Sequence, residues 1–165
     1  MVRRKGITDA EKSLGAERKK WEELFLRLSH PFPILMIDRV EGVEREKNIK
    51  AVKWVTANEF YLAGHFPGEP ILPGVLTLEG LVQCALLLVA ESFSRGRLSC
   101  SLEKVDRVRF KRAIVPGDRV DFTVQLTARE GEFWKFKGQA QIGGETAAEA
   151  NLVLQVNFRE VGFEI

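Results

Sequence analysis

The chain has 165 residues, enough for one domain with a sizeable core that needs no disulfide or metal staple. Apolar residues make up 45% and charged residues 29%, the ordinary globular mix, which excludes a chain disordered throughout. Lys and Arg number 25 against 23 Asp and Glu, a net charge of +2 that excludes the strongly basic face expected of a nucleic-acid binder.

The first 30 residues carry eight basic and five acidic side chains and lack the apolar stretch of a secretion signal. Thr8 and Glu11 have capping-box spacing, which predicts a helix from near Asp9. Trp21, Leu24, Phe25 and Leu28 recur at i, i+3, i+4 and i+7, and Pro31 stops the pattern. Residues 1–18 therefore read as a partly helical extension and 19–165 as the main domain. The apolar run 34–40 predicts a short buried strand, and 48–55 predicts a second.

Residues 74–93 predict a helix about 28 Å long. It is apolar nearly all round, with Val75, Leu76, Leu78, Leu81, Val82, Leu86, Leu87, Leu88 and Val89, and so is expected to be buried on most faces. The uncharged stretch 80–90 within it is too short to cross a bilayer.

Beyond it the period becomes two. Val120, Phe122, Val124 and Leu126 alternate with polar residues. So do Trp134, Phe136, Gly138, Ala140 and Ile142, and then Ala148, Ala150, Leu152, Leu154, Val156 and Phe158. Gly131 and the pair Gly143-Gly144 separate these runs as hairpin turns. Consecutive hairpins imply an antiparallel sheet with one apolar face. Together with one long buried helix, this predicts a single α+β domain in which the sheet wraps the helix, the hotdog architecture. Cys84 and Cys100 form no CxxC pair, so a structural zinc site is excluded and a reducing compartment is expected. The expectation is a soluble cytoplasmic protein.

Only His30 and His65 offer imidazole chemistry. His65 sits in Gly64-His65-Phe66-Pro67-Gly68-Glu69-Pro70, a loop stiffened by Gly and Pro. A histidine on such a loop is either a positioned base or a surface residue. Glu79 lies near the start of the apolar helix, with Gln83 one turn on and on the same face. Burial there raises a carboxyl pKa and makes it a proton donor; the alternative is a carboxylate accepting hydrogen bonds near an open helix end. Gly74 opens the helix, where unpaired N–H groups and the helix dipole favour a developing oxyanion. Base, acid and oxyanion donor together fit proton abstraction beside a carbonyl, with no substrate named.

The segment GHFPGEPILPGVLTLEGLVQ resembles the active-site motif of FabZ-type (3R)-3-hydroxyacyl-[acyl carrier protein] dehydratases of the hotdog superfamily. HPFPILMIDRV resembles that family's first strand, VDRVRFKRAIVPGD its strand-and-turn signature, and WKFKGQAQIGGETAAEANL its final hairpin. The resemblance runs from Trp21 to Phe158 with the motifs in order. It implies His65 as catalytic histidine, Glu79 as catalytic carboxylate, Gly74 as the N–H donor to the thioester carbonyl, and Gln83 as support for the acid. The isomerising relatives carry Asp where this chain has Glu79, which implies dehydration without isomerisation. No metal or redox cofactor is implied. A dimer, or a hexamer of three dimers, with sites shared between subunits is implied. Two departures stand out. His30-Pro31-Phe32-Pro33 replaces His-Arg-Tyr-Pro, which makes His30 structural or near the interface and not catalytic, and residues 95–104 lack a gating aromatic.

The implied partner is an acidic acyl carrier protein. Residues 104–112 hold five basic side chains and one acidic. Arg107, Arg109 and Lys111 are expected on one strand face opposite Val108 and Phe110, either as a solvated face or as a carrier landing surface with Arg97 and Arg159. The leading expectation is a dehydratase of fatty-acid biosynthesis. A dehydratase of a specialised acyl pathway such as lipid A or polyene synthesis, a hotdog acyl thioesterase and a non-catalytic acyl-binding subunit are the other readings.

Overall fold

The computed structural model describes residues 34–93 and 97–159. The expected N-terminal helix, the boundary at residue 18 and His30 lie outside them, as do the side chains of Arg97 and Arg159. Six strands surround one long helix: β1 (Arg39–Glu44), β2 (Asn48–Trp54), α1 (Gly74–Ser92), β3 (Arg97–Phe110), β4 (Arg119–Glu130), β5 (Phe133–Ile142) and β6 (Glu145–Arg159). A short 3-10 helix, Phe60–Ala63, bridges β2 and the loop before α1.

The strands form one sheet in the order β1-β2-β4-β5-β6-β3, and every neighbouring pair is antiparallel. The predicted alternation sets its inner face. Val120, Phe122, Val124, Trp134, Phe136, Ala140, Leu152 and Leu154 are all buried against α1 or one another. The β5–β6 turn places Gly143 and Gly144 both at positive φ, 57° and 87°, as a two-residue hairpin of the right twist requires.

Helix α1 packs on this face, with Leu81, Leu87, Leu88 and Val89 fully enclosed. Each such leucine stabilises by about 2 kcal/mol over leaving it in water. Close approach depends on Gly80: a Cβ there would lie 2.5 Å from the ring of Phe122 on β4. By length and composition α1 is capable of crossing a membrane, yet 72% of that stretch is buried inside the domain, as befits a core helix.

The first predicted strand is corrected. Residues 34–37 form no strand, and the ladder with β2 starts only at Arg39. The cause is a side chain. Gln83 Nε2 donates to the Ile34 carbonyl at 2.7 Å, and its Oε1 accepts from the Met36 N–H at 2.8 Å. The carboxamide takes the main-chain groups that a neighbouring strand would otherwise use.

Candidate active site

His65 arrives on a loop tied at both ends. Upstream, its N–H donates to the Leu62 carbonyl at the end of the 3-10 helix, 3.3 Å. Phe66 and Glu69 exchange both main-chain bonds, at 3.1 and 3.0 Å, and Gly68 takes the positive φ of 82° that this tight turn needs. Downstream, the Ile71 N–H donates to the His65 carbonyl at 2.8 Å, and Leu72 is fastened to Ile114 at 2.8 Å. The His65–Phe66 peptide bond is cis, and the two rings stack with centroids 4.2 Å apart.

The imidazole has a defined polarity. His65 Nδ1 lies 2.8 Å from the Ile71 carbonyl oxygen. A carbonyl only accepts, so Nδ1 carries a hydrogen, and in the neutral ring Nε2 then keeps its lone pair. The ring borders a cleft of about 550 Å³ whose walls include Ile71, Gly74, Val75, Thr77 and Phe110. Gly74 lets the Phe110 ring lie close: a Cβ there would meet that exposed ring at 2.8 Å and push it aside. It is also the first residue of α1. The Leu76 and Thr77 N–H groups already donate to the Pro73 carbonyl, at 2.9 and 3.2 Å, so the N–H of Gly74 precedes the intrahelical bonds and stands at the positive end of the helix dipole.

Glu79 stands one turn further along α1 and is half-buried within the chain, less enclosed than the apolar sequence around it suggests. Its Oε1 accepts from Gln83 Nε2 at 2.8 Å. Gln83 is fully buried, and its orientation follows from its neighbours: the Met36 N–H can only donate and the Ile34 carbonyl can only accept. The amide nitrogen is thus turned to Glu79. The cleft brings together His65 and Gly74; Glu79 and Gln83 are not among its walls in one chain.

The basic side chains gather beside this site. Arg107 and Arg109 line a shallow groove with Lys137, Glu149 and Asn151. Arg109 and Lys111 converge on Glu149, at 3.7 and 3.1 Å. Hydrogen bonding to Lys111 holds the Glu149 carboxyl below the usual range. The expected strict alternation along this stretch fails. A bulge between Asp106 and Arg109 puts Arg107 at a φ of 51°, and Phe110 is exposed. Arg97 and Arg159 are register partners across β3 and β6.

A buried charge absent from the motif reading lies behind the histidine loop. Lys53, enclosed at the end of β2, is 2.9 Å from Glu59 Oε1 and 3.5 Å from Asp38 Oδ1. The signal in sequence is slight: one lysine inside the apolar run Ala51-Val52-Lys53-Trp54-Val55.

Comparison with known proteins agrees with this architecture. The family model described as a FabA-like domain matches residues 28–151. A 3-hydroxyacyl-[acyl-carrier-protein] dehydratase FabZ from Verminephrobacter eiseniae is 42% identical over 139 residues, covering 82% of this chain and 91% of that one. One from an Anaeromyxobacter species is 40% identical over 136 residues, covering 81% and 87%. Among solved structures, the dehydratase heterocomplex ApeI:P from Xenorhabdus doucetiae superimposes with a TM-score of 0.67 at 17% identity, over 81% of this chain and 90% of that one. A hypothetical thioesterase protein with coenzyme A from Streptococcus pneumoniae gives 0.63 at 11% identity, over 85% and 98%, so at this distance likeness of shape establishes the hotdog fold alone. The chain belongs to the FabA-like domain family and, within it, to the FabZ 3-hydroxyacyl-[acyl-carrier-protein] dehydratases.

Proposed function

We propose that this protein dehydrates (3R)-3-hydroxyacyl thioesters on acyl carrier protein to trans-2-enoyl thioesters, in fatty-acid biosynthesis, with His65 as base and Glu79 as acid. The observation that carries the residue assignment is the bond between His65 Nδ1 and the Ile71 carbonyl, which leaves Nε2 as the proton acceptor at the wall of the cleft. Nε2 takes the C2 proton. Charge moves onto the thioester oxygen, where the Gly74 N–H and the α1 dipole stabilise it. The Glu79 carboxyl gives its proton to the C3 hydroxyl, the C3–O bond breaks and water leaves. Each acid–base step of this kind contributes about 10²–10⁴-fold.

A second copy completes the site in this reading. Within one chain Glu79 lies off the cleft that His65 borders. Apolar side chains crowd that region: Val75 is 69% exposed, Phe110 56% and Phe66 53%. β3 ends the sheet and offers its outer edge to a partner strand. The Arg107, Arg109 and Lys111 cluster then flanks the entrance and steers an acidic carrier toward it.

The test is loss of enoyl-thioester absorbance when the protein meets a crotonyl thioester, with free-thiol release followed in parallel. Hydration that disappears in both His65→Ala and Glu79→Ala, without thiol release, is the expected result. Thiol release without hydration would transfer the site to a thioesterase. Binding without turnover, repeated on a carrier-linked substrate, would leave an acyl-binding subunit.

A further inference from the structure

Lys53 is the one buried lysine among the described residues, and the reaction above gives it no part. It is not idle ballast in the strand. Its ammonium donates to Glu59 Oε1 at 2.9 Å and lies 3.5 Å from Asp38 Oδ1. Asp38 is itself anchored: its Oδ2 accepts the Trp54 N–H at 2.6 Å, and its N–H donates to the Val52 carbonyl at 2.8 Å. The lysine therefore joins a carboxylate fixed to β2 with one that stands outside the sheet.

The second carboxylate matters because of where Glu59 sits. It is the N-cap of the 3-10 helix Phe60–Ala63. Its own side chain makes no capping bond, since Lys53 engages it. Its carbonyl accepts the Leu62 N–H at 3.0 Å, and the Leu62 carbonyl accepts the His65 N–H at 3.3 Å. Three successive hydrogen bonds thus run from the Lys53 ammonium to the main chain of His65. Leu62, the middle link, is buried in the core, so the short helix has little freedom to tilt without moving the histidine.

We propose that Lys53 is a positioning residue for His65. Its ion pair with Glu59 sets the upstream anchor of the histidine loop, as the Ile71 and Leu72 bonds set the downstream one. The inference rests on the assignment of His65 as base, and it concerns the placement of that ring, not the transfer of a proton by lysine. A displacement on the order of 1 Å at a reacting group is enough to cost about 100-fold in rate.

The experiment compares Lys53→Met, Glu59→Leu and Glu59→Gln with wild type, well below each melting temperature. Two readouts are taken: crotonyl-thioester hydration, and the imidazole ¹⁵N signals of His65, assigned by their loss in His65→Ala. Lys53→Met and Glu59→Leu are expected to lower kcat about 10- to 100-fold while KM changes by less than about twofold, and to shift or broaden the His65 signals. Glu59→Gln keeps an oxygen acceptor for Lys53 without the charge and is expected to fall between wild type and Glu59→Leu in both the rate and the signals. Glu59 is partly solvated, so its variants keep the test open should Lys53→Met not fold. A lowered melting temperature with unchanged kcat and unchanged His65 signals would overturn the proposal and leave Lys53 a stabilising residue only. Should wild type not hydrate the thioester, the dehydratase reading fails, and the imidazole signals alone decide whether Lys53 positions the ring.

Discussion

His65 and Gln83 are held by the same device: a side-chain nitrogen committed to a main-chain carbonyl, at Ile71 in one case and Ile34 in the other. Each commitment leaves a second function of the group defined, a lone pair on His65 Nε2 and an N–H aimed at Glu79. Gln83→Leu is therefore expected to cost more than its packing. It strands the buried Met36 N–H and takes the donor from the Ile34 carbonyl at a part-buried place, a loss of about 1–3 kcal/mol that urea denaturation will register. Tyr61 permits a cleaner reading, since it is the one tyrosine in the sequence. Burial, with the Glu59 and Asp38 carboxylates adding to it, raises its phenol well above the usual value. The folded state then holds the proton more tightly than the unfolded one. The associated stability is present below the ordinary tyrosine pKa of about 10 and falls as pH climbs beyond it. Phenolate absorbance is expected to appear only together with alkaline unfolding; a free titration near pH 10 in the native protein would refute this.

At the scale of elements, local chemistry was easier to read than pairing. The helix Gly74–Ser92 follows from an apolar run that a proline introduces, and the last three strands follow from period-two alternation broken by glycines. Residues 34–37 defeated the same logic, because an apolar run records burial and not which partner satisfies its main chain. That partner is Gln83, 49 positions from Ile34. The bulge at Asp106–Arg109 likewise leaves no signature in hydrophobic order; it takes Arg107 out of strict alternation, while Arg109 and Lys111 still meet at Glu149. Lys53 escaped notice because its meaning depends on Glu59 and Asp38, which only the fold brings to it. His65, Gly74 and Glu79 stand out as candidates in the sequence because their motif is compact and contiguous. The helix–sheet crossing makes its own prediction. Gly80→Ala pushes a methyl into the Phe122 ring at 2.5 Å, and overpacking of this sort costs about 1–3 kcal/mol, visible as a lowered melting temperature.

At the scale of the molecule, the proposed function sets two parts of the described surface side by side. The cleft with its apolar rim lies near a cluster of cations, so an acidic carrier would be guided by charge while its acyl group is received by apolar walls. Reversing Arg107 and Arg109 to Glu is expected to raise KM for carrier-linked substrates and to spare small thioesters. An equal effect on both would assign these arginines to the fold, not to the partner.

The two borders of the sheet are unlike. β1 is only six residues long, carries a bulge between Val40 and Gly42, and is fringed by the charged Arg39 and Glu41. β3 is 14 residues long and bears the exposed Leu102 and Phe110. Among the described residues only β3 offers a border long and apolar enough to accept another strand, and two copies that joined β3 to β3 would use that border up in both. Growth by such a pairing would be self-limiting, ending at a closed pair instead of running on into a fibril.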